Sequence, residues 1–107
     1  MYQFQEKDWK WFRKKLPEWQ EAYMERLTQE YIRLLSGEEN ASDRFWELEK
    51  RINRDKKCVG VVANMRRSMM VNNLVALVAD EVIRPEDMDG FCDDLVKVVK
   101  AMAKPIQ

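Results

Sequence analysis

The chain contains no histidine. That removes the commonest general base, the commonest metal ligand and every Ser-His or Cys-His nucleophile arrangement. It has two cysteines, Cys58 and Cys92, in no CxxC spacing, so neither a disulfide framework nor a four-ligand zinc site is expected. With three glycines in all, Gly37, Gly60 and Gly90, there is no P-loop and no dinucleotide-binding fingerprint. Long apolar runs are missing too. The best candidate, Met69 to Ala79, is interrupted by Asn72 and Asn73 and falls short of the ~20 residues that cross a bilayer. An excess charge of either sign is also absent: 19 basic residues balance 19 acidic ones, and neither half of the chain is a polybasic arm or an acidic tail. The N-terminus mixes aromatic and charged residues and does not read as a signal peptide. These absences lead us to expect a non-enzymatic cytoplasmic protein with no cofactor, no metal and no membrane span.

What the sequence does contain is helical periodicity. At 107 residues, a single domain spanning 1–107 is expected. Trp19, Tyr23, Leu27, Tyr31 and Leu35 recur at every fourth position, the spacing of one helix face, with Met24 and Leu34 widening it. Pro17 and Gly37 bracket this stretch in the order expected of a helix start and stop. A short helix is expected before it, over 8–16, with Asp8 as N-cap and Trp9, Phe12 and Leu16 inward. It should end at Leu16, because the residue before a proline disfavours the α conformation. A third helix is expected over 43–57, capped by Asn40 or Ser42, with Phe45, Leu48 and Ile52 facing inward and Glu47 paired to Arg51. A fourth, central helix is expected over 60–81. Its valines would suit strands by composition, but its length favours a helix. Pro85 to Asp89 adds a single turn, and Phe91, Leu95, Val98, Val99 and Met102 mark the last helix. The fold class is therefore all-α, a small bundle of four main helices plus a short N-terminal one.

Candidate binding residues follow from this layout. Trp11 lies nearly opposite Trp9 and Leu16 on a helical wheel, so it points to solvent or to a partner unless Tyr2 and Phe4 fold back over it. With Arg13, Lys14 and Trp46 it forms the expected protein-binding set. The partner is an unidentified protein, and a two-fold homodimer is a further arrangement that would cover spare aromatic surface. The alternative reading is a nucleic-acid binder using Lys10, Arg13, Lys14, Lys15, Arg66 and Arg67 beside the N-terminal aromatics. The near-neutral charge balance argues against it. A third reading, an enzyme, lacks any recognisable constellation. Met65, Met69 and Met70, with Met24, Met88 and Met102, either fill core gaps or line an adaptable groove. Asp87, Asp89, Asp93 and Asp94 fail as a calcium loop, because Pro85 and Val96 would occupy the two end positions that need acids.

The motif D-W-K-x-F-R at Asp8 to Arg13 is followed by W-Q-E-A-Y-M-E-R-L at Trp19 to Leu27 and F-W-E-L-E at Phe45 to Glu49. D-K-K with G-V lies at Asp55 to Val61, M-R-R-S at Met65 to Ser68 and G-F-C-D-D-L at Gly90 to Leu95. Together these resemble a family of short uncharacterised helical proteins from anaerobic gut Firmicutes, over nearly the whole chain. The resemblance implies no activity, cofactor or site. Some members carry a transporter label, which the lack of a membrane span in this sequence contradicts. It implies instead a small accessory protein of the kind that travels with mobile elements, in a regulatory or inhibitory role.

Overall fold

The structure is a computed structural model and describes residues 5–103. Tyr2 and Phe4, the residues that could fold back over Trp11, lie outside the described residues. The described residues form four α-helices, α1 (Glu6–Leu35), α2 (Ala41–Asp55), α3 (Met70–Ala79) and α4 (Asp93–Ala103), with 3-10 turns at Arg67–Met69 and Pro85–Met88. No β-strand occurs among them, so the fold is all-α. Among the described residues no helix is long and apolar enough to cross a membrane. The molecule is elongated, with extents of 53 × 32 × 21 Å.

The expected break at Pro17 does not occur. α1 runs through it as one 30-residue helix. Proline removes one backbone donor and leaves the Arg13 carbonyl without its helical partner. Pro17 and Arg13 both lie on the exposed side, where water can satisfy that carbonyl. On the other side Trp9, Phe12, Leu16 and Trp19 are buried in the core, which holds the helix on course across the proline. Asp8 is likewise not an N-cap. It sits inside the first turn, fully buried, and its carboxylate accepts from the Cys92 amide at 3.0 Å, tying α1 to the start of α4.

The core is completed by α3 and α4. Met70, Leu74 and Leu77 of α3 face Leu95 and Val99 of α4, with Val82, Ile83, Met88 and Phe91 from the connection between them. The expected 60–81 helix contracts to 70–79. Residues 58–66 take turns and extended backbone instead, because local side chains compete for the backbone there. The Asn64 side chain accepts from the Arg66 amide, and buried Asn73 donates to the Asn64 carbonyl at 2.8 Å. Asn72 is exposed. α3 ends with the Val82 amide bonding the Leu77 carbonyl and the Glu81 amide bonding that of Val78, with Glu81 at φ 60°. That is the 6→1 and 5→2 closure of a helix, here without the usual glycine.

α2 folds back antiparallel on the C-terminal half of α1. Its polar contacts come from Arg44, Arg51 and Asp55, spaced i, i+7, i+11. The Tyr31 hydroxyl donates to the Asp55 carboxylate at 2.5 Å, Arg51 pairs with Glu30 at 2.8 Å, and Arg44 donates to the Leu35 carbonyl. Arg51 therefore turns to α1 rather than to Glu47, and Arg26 donates to the Glu81 carbonyl. Asn40 is the N-cap residue of α2 but makes no side-chain cap bond.

Candidate interaction surface

The expected binding residues do not converge. Trp11 is half-buried and seated on the 89–91 turn, where its indole Nε1 donates to the Asp89 carbonyl at 3.3 Å. Lys14 and Lys15 place their ammonium groups 5.4 and 5.7 Å from its ring centroid, and Arg13 lies 6.0 Å from that of buried Trp9. Trp46 sits on α2, alongside the far end of α1. Trp11 and Tyr31 are twenty residues apart on one helix, so about 30 Å separates the two regions.

Of the basic residues, Lys10, Arg13 and Lys14 are exposed on the first turns of α1, and Lys15 pairs with Glu18 at 3.3 Å. Arg67 joins them by pairing with Glu6 at 2.8 Å, which brings the Arg66–Arg67 segment beside the start of α1. Among the described residues this positive face has no free stacking ring, since Trp9 is buried and Trp11 rests on Gly90.

Contrary to expectation, Phe45 and Ile52 do not face inward. Phe45 is 61% exposed and Trp46 59%, their rings meeting edge to face with centroids 4.9 Å apart, and Ile52 is 40% exposed. Ile32 and Leu35 of α1 are 55% and 42% exposed. At 100° per residue, Leu35 and Ile32 on α1 and Ile52 and Phe45 on α2 fall on the flank of the hairpin opposite the Glu30–Arg51 pair. A shallow groove of about 250 Å³ runs along this flank between Phe45, Leu48, Glu49, Ile52 and Asn53. The signal was present in the sequence. α2 offers four large apolar residues, two of them adjacent, and adjacent residues point 100° apart on a helix.

Elsewhere the polar side chains are engaged in structure. A cleft of about 520 Å³ lies beside Arg26, Glu81, Arg84 and Asp87, but Arg26 is committed to the Glu81 carbonyl and Asp87 to the Arg84 amide. The Cys58 thiol lies 3.7 Å from both the Tyr23 hydroxyl and the Asp80 carboxylate. Among the described residues no three acidic or cysteine side chains are placed to hold a metal ion. Of the methionines, Met70 and Met88 fill the core, whereas Met24, Met65 and Met102 are exposed.

Two phenols are held un-ionised. Burial, then the hydrogen bond with Cys58, pushes Tyr23 up to about 12, and burial, then the bond to Asp55, does the same for Tyr31. Both folded values exceed the ordinary tyrosine value near 10. The stabilisation is therefore complete below pH 10 and is lost as pH rises toward 12, where the unfolded chain ionises first. Urea unfolding between pH 9 and 12 should show this as a stability loss that shrinks when Tyr23 and Tyr31 are both replaced by phenylalanine.

The chain gives no match to any family model, to any curated protein or to any solved structure.

Proposed function

We propose that this chain is a non-enzymatic protein-interaction module, an adaptor, regulator or inhibitor, and that it binds through the open flank of the α1–α2 hairpin. One observation carries the reading. Phe45, 61% exposed, lies with Ile52 and the α1 residues Leu35 and Ile32 on one flank of a helix pair, and Trp46, edge to face with Phe45, carries the exposed aromatic surface on round α2. Scattered single apolar residues are ordinary on a surface, whereas a contiguous strip with aromatic anchors is what interfaces use. The surface thus moves from the Trp11 end of α1, suggested by the sequence, to the Trp46 end.

A photo-cross-linking residue at position 46, introduced in the native host and read by mass spectrometry after nuclease treatment, tests this. Protein adducts should form from position 46, exceed those from the exposed position of Glu21, and disappear with Phe45→Glu. Equal yields from both positions would refute the reading. The second reading, nucleic-acid binding by Lys10, Arg13, Lys14, Arg66 and Arg67, is supported by the Glu6–Arg67 pair, which assembles these cations on one face. It requires adducts from position 14 that nuclease removes.

A further inference from the structure

We propose that the hairpin flank is covered by a second copy of this chain, the two hairpins closing as a four-helix bundle about a two-fold axis. This rests on the reading that the flank is the interaction surface, and it names the occupant. α2 has two working faces. The seam of Arg44, Arg51 and Asp55 is used on α1. The strip of Phe45, Leu48 and Ile52, spaced i, i+3, i+7, continues past it into solvent. Four-helix bundles bury such apolar positions of all their helices in one shared core.

The charges bordering the strip say which partner fits. Glu49 and Lys56 are two turns apart on the strip's edge, both exposed, and neither forms an ion pair among the described residues. A two-fold axis passing near Ile52 relates antiparallel copies of α2. It sets Glu49 of each copy against Lys56 of the other, so one pair is made twice. A parallel arrangement would set like charges together. The same order recurs at the helix ends, with Asp43 in the first turn of α2 and Lys56 and Lys57 just past its last. Within one copy that order suits the helix dipole. Between two antiparallel copies it is also self-complementary, which an isologous interface requires.

Phe45, three-fifths exposed, with Ile52 and Leu35, each about two-fifths exposed, forms the apolar centre that such a contact would bury, and the charged border around it is the polar rim that interfaces ordinarily keep.

Sedimentation equilibrium of the full chain, from low to high micromolar concentration, tests the proposal. The mass should rise from one chain to two. Ile52→Glu should abolish the rise while leaving the far-ultraviolet helix signal unchanged. Glu49→Lys and Lys56→Glu should each weaken the dimer by about tenfold, since each creates two like-charge contacts, and the double variant should restore it. A single-chain mass throughout overturns the proposal, and a double variant no tighter than either single one overturns its two-fold pairing. If the chain is monomeric while position 46 still cross-links to another protein, only the choice of occupant fails. A monomer with no cross-links ends both readings.

Discussion

Gly60→Val is expected to destabilise the fold by about 3 kcal/mol, the upper end of what overpacking a core ordinarily costs. Gly60 is buried where the segment after α2 passes under α1. A Cβ there would stand 2.8 Å from both Tyr23 Cε2 and Val82 Cγ2. Neither neighbour can yield freely. The Tyr23 ring is held by the Cys58 thiol at its hydroxyl and by the Arg26 guanidinium 5.0 Å from its centroid. Val82 is fixed by the helix closure at the end of α3. Gln20 also donates to the Val59 carbonyl at 3.1 Å, so the segment cannot lift away without breaking that bond. Urea unfolding followed by circular dichroism should give a lower midpoint at unchanged slope. Gly37→Ala is the control. Its Cβ would meet only the Leu34 carbonyl, at 3.3 Å, in an exposed loop, so its effect should be small. Equal effects at the two positions would show that the packing at Gly60 is loose.

Gly90→Ala is expected to have a comparable effect for a different reason. Gly90 has φ 103°, a region L-residues rarely enter, and an added Cβ would lie 2.6 Å from Trp11 Nε1 and 2.8 Å from Cε2. The backbone penalty of ~1–2 kcal/mol and the overlap with the indole together amount to about 3 kcal/mol. The variant should also release Trp11 from the Asp89 carbonyl and shift its fluorescence to the red. The two contributions separate in a Trp11→Ala background, where no ring remains to overlap. There the cost of Gly90→Ala should fall to its backbone part. An undiminished cost in that background would mean that the indole is not what Gly90 makes room for.

The all-α class was legible because it depends on period, and the apolar positions of α1, α3 and α4 repeat at helical spacing whatever surrounds them. The buried residues of the first nineteen positions, Trp9, Phe12, Leu16 and Trp19, were readable for the same reason. Element ends were less legible, since tertiary contacts decide them. Pro17 breaks a helix only where the freed carbonyl has no solvent, and nothing local says that it does. Asn64 and Asn73 shorten the fourth segment through a bond across nine residues. The site was least legible of all. Trp11 was read from its own helix as exposed, but the turn at Gly90 that it covers is 79 positions away in the sequence. Phe45 was assigned inward because a stripe was presumed to face the core, whereas α2 packs chiefly on α1 and meets it with Arg44, Arg51 and Asp55.

The polar make-up of the α1–α2 seam has a mechanical result. Apolar surfaces are non-directional and tolerate sliding, whereas the Tyr31–Asp55, Glu30–Arg51 and Arg44–Leu35 contacts each have one donor and one acceptor in one place. Moving α2 by a single helical turn, ~5.4 Å, would break all three at once and offer nothing in exchange. The hairpin is thus keyed like a toothed rack, and it holds Phe45 and Trp46 at one fixed height along the α1 shaft.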